Sequence, residues 1–244
     1  YDIIGKTPLF AIKQAWEAGI MNLGIPKEYG GKGYGLIEEA IAVEEIAAIC
    51  PGMATSIFAN SLGEEPLIMG NNEPLKKEIL SDLVNNFGII SFATSEPNMG
   101  SDVGGIMCKA EKQENGDYIL KGRKYWITNG GLAKYVTVFA NVDPKERHKG
   151  ICAFLVRMDR PGVEAGRPID KMGHRTSNTV SIKLDGYRVP KEDVIAEPDE
   201  GFKLAMKTFS RTRPIIGAMA TGLARSAMEY GIHYVNKRKT FGQK

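Results

Sequence analysis

Four stretches of the chain carry residue types that could do chemistry. The first is Ser95-Glu96-Pro97-Asn98-Met99-Gly100-Ser101-Asp102-Val103-Gly104-Gly105, which directly follows an apolar run. Its hydroxyls at Ser95 and Ser101 flank Gly100, whose missing side chain lets a diphosphate approach the backbone N–H groups. Taken alone, it reads first as a polar loop. The second is Lys124-Tyr125-Trp126-Ile127-Thr128-Asn129-Gly130-Gly131. Trp126 and Thr128, two residues apart on a strand, point the same way. Together they offer a flat apolar surface and a hydrogen-bonding hydroxyl that a planar heterocycle could use; standing alone, the stretch reads as a core Trp. The third is Arg238-Lys239-Thr240-Phe241-Gly242. Cations at a helix end suit the dipole, and an Arg can also bind a diphosphate bidentately. The fourth, Tyr29-Gly30-Gly31-Lys32-Gly33-Tyr34-Gly35, imitates a phosphate loop. It does not fit GxGxxG and no strand precedes it, so it is a tight turn between helices.

The elements that must position these residues fall into three blocks. Pro8 to Ala18 suits a helix stopped by Gly19. Leu36 to Cys50 and Met53 to Leu62 read as mostly buried helices. Glu73-Pro74 opens another, with Leu75, Ile79 and Leu83 on one face. From Phe87 to Val194 the signals are β. Gly88 to Ala93 is a short apolar run, and Cys108–Lys112 and Tyr118–Lys121 flank Asn115-Gly116, which predicts a hairpin with a type I′ turn. Tyr135–Ala140, Ile151–Arg157 and Thr179–Leu184 are further strands, with Asp159–Gly162 and Asp185-Gly186 read as turns. From Asp199 a helix returns with a wide apolar face, and Pro214 is expected to kink or divide it. Its small residues, from Gly217 to Ala227, allow close packing. The fold class is therefore α+β: an N-terminal helical domain over 1–86, a middle antiparallel β domain over 87–195, and the first helix of a C-terminal helical bundle over 196–244.

Composition narrows the function. The 244 residues are 43% hydrophobic and 25% charged, enough for a substantial core. A net charge of +3, with both signs interspersed, leaves no polybasic footprint for nucleic acid. Cys50, Cys108 and Cys152 are widely spaced, as are His148, His174 and His233, so neither a disulfide framework nor a metal site is expected. No run approaches a membrane span, and no leader is visible in a chain that begins at Tyr1.

Several strings occur together in one order. They are Ile25-Pro26-Lys27-Glu28-Tyr29-Gly30-Gly31, Ser95-Glu96-Pro97 through Gly100-Ser101-Asp102, Trp126-Ile127-Thr128-Asn129-Gly130, Lys171-Met172-Gly173-His174-Arg175, Val189-Pro190-Lys191-Glu192-Asp193-Val194 and Arg238-Lys239-Thr240-Phe241-Gly242. In this order, over essentially the whole chain, they resemble the acyl-CoA dehydrogenase family, its short- and medium-chain members above all.

The resemblance implies an FAD enzyme of fatty acid β-oxidation. It would convert an acyl-CoA to its trans-2-enoyl-CoA and hand electrons to an electron-transferring flavoprotein. It implies that Phe92, Thr94, Ser95, Gly100, Ser101, Trp126, Ile127 and Thr128 contact the flavin. Arg238, Thr240 and Phe241 would reach the FAD of a neighbouring subunit of a homotetramer. Ser101 and Ser177 would touch the CoA thioester arm, and Ser210, Arg211, Thr212 and Arg213 would line the substrate site. The family's base is usually a Glu in C-terminal segments expected beyond Lys244; a minority carry it at the position of Thr212, where a Thr cannot serve. The resemblance thus names no catalytic residue here, and a further helix is expected before Tyr1. Ser210 stands where medium-chain relatives often have Asp. Phe58 stands where such relatives can have a Glu at the bottom of the acyl pocket, which implies a preference for short or compact acyl groups. The expected compartment is the bacterial cytoplasm or the mitochondrial matrix. Two other readings stay open at this point: an acyl-CoA oxidase or flavin monooxygenase relative, and a non-catalytic flavin- or CoA-binding subunit.

Overall fold

The computed structural model describes residues 1–243. Helix α1, Leu9–Glu17, stops before Gly19, whose φ of +68° suits a residue without Cβ. The glycine-rich stretch is a turn, with Gly30 and Gly33 both at positive φ, and it leads into α2, Leu36–Ile49. Helix α3, Pro51–Met69, opens with a proline in its first turn and runs well past Leu62, where the sequence pattern had placed its end. Helix α4, Glu73–Asn85, is capped by Asn72, whose side-chain oxygen accepts from the Leu75 N–H at 3.2 Å. Leu75, Ile79 and Leu83 are buried as their spacing predicts.

The strands are β1 Ile90–Ala93, β2 Lys109–Lys112, β3 Tyr118–Thr128, β4 Tyr135–Asn141, β5 Ile151–Arg157, β6 Val163–Ala165, β7 Thr179–Val189 and β8 Val194–Ala196. They form one sheet in the order β6-β7-β3-β2-β4-β5-β8, with β1 beside β4. Most pairs are antiparallel. Strand β1 runs parallel to β4, Ile90 opposite Tyr135, and β2 meets β4 in parallel only at Lys109 and Asn141.

Two local expectations are corrected. The β2–β3 hairpin forms, but not on a type I′ turn. Gly116 has φ +90° while Asn115 stays out of the left-handed region. The Gly116 N–H donates to the Gln113 carbonyl at 3.0 Å. Asn115 instead spends its side chain on the loop, accepting from the Asp117 N–H at 3.1 Å and donating to the Asp117 carboxylate at 3.0 Å. Asp185-Gly186 is not a turn either. Gly186, φ +73°, sits inside β7 where the register against β3 slips between Leu120 and Lys121, so it forms a bulge.

The last helix, α5, Gly201–Lys237, passes through Pro214 as one element, so the proline does not divide it. Packing on both sides of the proline explains this. Before it, Leu204, Ala205 and Thr208 are buried; after it, Ile215, Met219 and Gly222 are. Gly222 lies so close to α2 that a Cβ would collide with the Glu44 carbonyl oxygen. Ser210, whose carbonyl the proline leaves without its helical donor, is exposed, where water can take it. Helix α5 thereby joins two cores. One holds the sheet with the apolar face of α4 and the start of α5; the other holds α1, α2 and α3 with Ile215 and Met219.

Candidate functional site

A cavity of about 560 Å³ opens where α3, β1 and its following loop, the end of β3 and α5 meet. Helix α3 offers Thr55, Phe58, Ala59 and Leu62, the spacing of one helical face. The β1 strand and loop offer Phe92, Thr94, Ser95, Gly100 and Ser101, and β3 offers Trp126, Ile127 and Thr128. Helix α5 closes the space with Met206, Phe209, Thr212, Arg213 and Ile216. The Phe92 ring meets Phe209 edge-on at 5.5 Å and Phe139 at 5.1 Å, which fixes the apolar end.

Trp126 is neither in the core nor placed by simple alternation. It is 56% exposed, at φ +62°. Lys124 and Ile127 both point inward, so β3 must bulge between them; the register against β7 shifts there, and Trp126 is turned out to the cavity. The inward anchor is unusual. Lys124 is fully buried, and its Nζ donates to the Thr94 carbonyl at 2.9 Å and to Glu96 Oε1 at 2.8 Å. Glu96 in turn accepts from the backbone N–H groups of Met107 and Cys108 at 2.9 and 3.0 Å. The Tyr125 N–H donates to the Ser95 carbonyl at 2.9 Å. These bonds tie the loop after β1 to the bulge of β3, so Thr94, Ser95 and Trp126 are held as one wall. Ser91 Oγ donates to the Thr128 carbonyl at 2.8 Å, and Asn129 Nδ2 donates to the Ser56 carbonyl at 2.7 Å, locking the end of β3 to β1 and α3.

The cavity therefore combines an apolar end of phenylalanines, a flat exposed indole, hydroxyls at Thr94, Ser95, Ser101 and Thr128, and one cation, Arg213. At Gly100, on the rim, a Cβ would meet nothing within 4 Å, which leaves open space against the backbone. Such a surface fits a flat heterocycle with a polar edge and a phosphate-bearing tail. None of the lining residues is a carboxylate or a histidine, so no group on these walls could take a proton as a base. His174 reaches the rim only through Thr55, whose Oγ1 lies 2.8 Å from His174 Nδ1. Among the described residues no cluster of metal-binding side chains exists.

The residues singled out from the sequence are thus brought together in part. Phe92, Thr94, Ser95, Gly100, Ser101, Trp126, Ile127 and Thr128 all line the cavity, as do Phe58, Thr212 and Arg213. Ser210 does not line it, and Arg211 turns the other way to pair with Glu65 at 3.0 Å. Ser177 is buried beside a separate crevice of about 390 Å³, where Lys171 Nζ donates to its carbonyl. Arg238, Thr240 and Phe241 lie past the end of α5 and away from the cavity, Phe241 fully exposed. Thr55, Ala59 and Leu62 went unnoticed in the sequence although their spacing was readable; Lys124, named in the second stretch, was given no buried role because a lysine signals surface, not core.

Three family models match the chain: acyl-CoA dehydrogenase N-terminal domain over residues 3–86, middle domain over 91–187 and C-terminal domain over 199–244. A probable medium-chain specific acyl-CoA dehydrogenase 2, mitochondrial, of Caenorhabditis briggsae is 39% identical over 99% of this chain and 60% of its own length. Butyryl-CoA dehydrogenase from Megasphaera elsdenii superposes with a TM-score of 0.94 at 34% identity, over 98% of this chain and 63% of that one. A glutaryl-CoA dehydrogenase from Mycobacterium smegmatis in complex with FADH2 gives 0.90 at 29% identity, over 99% and 61%. The chain spans about three-fifths of the length of the relatives it matches.

Proposed function

Because the chain belongs to the acyl-CoA dehydrogenase family, we propose that its cavity binds FAD and an acyl-CoA thioester side by side for α,β-dehydrogenation. The observation that carries this reading is the wall itself: an indole turned out on a bulge, hydroxyls at its edge and open backbone at Gly100, in a chain of that family. When bound, the flavin supplies the oxidising power by accepting hydride from the β-carbon of the acyl group.

The chain's own residues would position and exclude. Trp126 would cover the ring face and Thr128 would hydrogen-bond its polar edge. Ser95, Gly100 and Ser101 would hold the phosphate-bearing part, with Ser101 also facing the thioester arm. Thr212 and Arg213 would border the acyl group from α5, and Phe58, Phe92 and Phe209 would keep its far end dry. Arg238 and Thr240, exposed beyond α5, would serve the flavin of a second subunit in a homotetramer. The proton acceptor is assigned to no residue of this chain. The electron acceptor would be an electron-transferring flavoprotein, and the compartment a bacterial cytoplasm or a mitochondrial matrix.

The test is a visible spectrum of the purified protein, then anaerobic addition of a panel of acyl-CoAs. A yellow protein bleached by one acyl class is expected. A protein that cannot be loaded with FAD overturns the reading, and fast reoxidation by oxygen would make it an oxidase. Phe58 bears on chain length: Phe58→Ala is expected to shift the preferred acyl length upward, since the lost ring opens space at the cavity wall. An unchanged chain-length profile would remove Phe58 from the specificity argument.

A further inference from the structure

Beneath the helical wall of the cavity lies a buried group of charges that the proposed reaction does not use. Glu39 on α2 and Glu64 and Glu65 on α3 are 2%, 0% and 3% exposed. One cation faces them, Arg211 on α5, whose Nε donates to Glu65 Oε1 at 3.0 Å. The groups converge near Gly24, where a Cβ would stand 2.6 Å from Glu39 Oε1 and 3.8 Å from an Arg211 terminal nitrogen. Both oxygens of Glu64 and Oε1 of Glu39 find no hydrogen-bond partner among the described residues. Asn60, one turn before Glu64, spends its amide on Asn22 Oδ1 at 3.0 Å and the Gly88 carbonyl at 3.3 Å. The charged groups that face this spot are Glu38 and Glu39 from α2, Glu64 and Glu65 from α3, and Arg211 from α5. The Asn22–Gly24 loop adds none.

Three buried carboxylates cannot all ionise against one guanidinium. Desolvation and mutual repulsion both oppose it, and a carboxylate is an acceptor only. A proton removes the charge and turns an unanswered oxygen into a donor. We propose that this cluster is a proton-holding joint: the carboxyls of Glu64 and Glu39 carry protons while α5 is seated on α2 and α3, and their loss in alkaline solution loosens the turn that brings Thr212 and Arg213 to the cavity. Arg211 directly precedes those two residues, and Ser61, one turn before Glu65, lines the same cavity.

The direction of each titration agrees. Burial, opposed by Arg211 and reinforced by Glu65 and Glu38, pushes Glu39 up to about 7. Burial, then the charges of Glu39 and Glu65, hold Glu64 well above the usual carboxyl range, with Asn60 a weaker opposing influence. Burial also raises Glu65, though Arg211 works against it. Carboxyls raised on folding bind more protons in the native than in the unfolded chain. Their contribution is complete below the ordinary carboxyl range. It falls as pH climbs through the value of Glu39 and onward as Glu64 ionises.

The experiment follows thermal unfolding of the protein between pH 6 and 9, without ligand, alongside Glu64→Gln and Glu39→Gln. The native midpoint is expected to drop across this range. Glu64→Gln is expected to flatten the drop and to melt roughly 4 °C or more above the native protein at pH 9. Infrared spectra at neutral pH should show the C=O stretch of a protonated carboxylic acid, reduced in Glu64→Gln. A flat native profile, or a Gln variant that melts lower by the same amount at every pH, overturns the proposal. So does the absence of that infrared band, which is read on the native protein and needs no variant to fold. None of these readouts depends on flavin, so the joint and the dehydrogenase reading can fail separately.

Discussion

The two walls of the cavity are each backed by a buried charge group, and the groups are opposites. Behind the sheet wall, Lys124 and Glu96 are matched one to one, and both are further satisfied by backbone: Thr94 accepts from the lysine, Met107 and Cys108 donate to the carboxylate. Behind the helical wall, three carboxyls face one guanidinium and three oxygens go unanswered. Charge count and hydrogen-bond count decide whether a buried ionic group acts as a fixed rivet or as something that answers to pH. The sheet wall carries the loop and indole; the helical wall belongs to α5, which packs against α2 and α3 where the carboxyls lie and against β5 and β8 nearer its start.

This contrast can be broken at three places. Lys124→Met strands a buried carboxylate with only backbone donors. It is expected to cost about 3–5 kcal/mol, measured by chemical denaturation, and to abolish flavin retention. A smaller loss with the flavin kept would mean that the pair is not what holds the wall. Arg211→Met removes the only cation of the helical cluster. Its guanidinium is a quarter exposed, so the expected cost is smaller, about 1–3 kcal/mol at pH 8. That cost should shrink toward pH 5.5, because the carboxyls left behind can take up protons; a pH-independent cost would erase the distinction between the walls. Ser91→Ala removes one hydrogen bond to the Thr128 carbonyl and should cost about 1 kcal/mol, with slower but intact loading of the flavin.

How much of this was legible beforehand depended on whether the signal was local. Helix α4 was read correctly from its first-turn proline and four-residue spacing, and the loop from Ser95 to Ser101, a polar loop when read alone, lines the cavity with Ser95, Gly100 and Ser101. Trp126 and Thr128 face the same cavity as their spacing predicts; what the sequence did not show is the bulge between Lys124 and Ile127 that lets both of these point inward. Whether Pro214 would kink or divide α5 stayed open because the sequence cannot show that packing holds both sides of it; the helix is not divided. Arg211 was grouped with Thr212 and Arg213, yet adjacent residues on a helix lie about 100° apart, and its partner Glu65 is far away in sequence. The type I′ turn failed because the Asn115 side chain, not its backbone, does the turning.

The unbroken passage of α5 between the cores has a consequence for how the molecule comes apart. Its first turns are packed into the sheet core and its later turns into the helical core. Losing either core strips one half of the same helix of its contacts, and a helix stabilised mainly by tertiary packing does not survive that loss locally. The sheet and the helices therefore share one cooperative unit rather than forming two that could melt in turn.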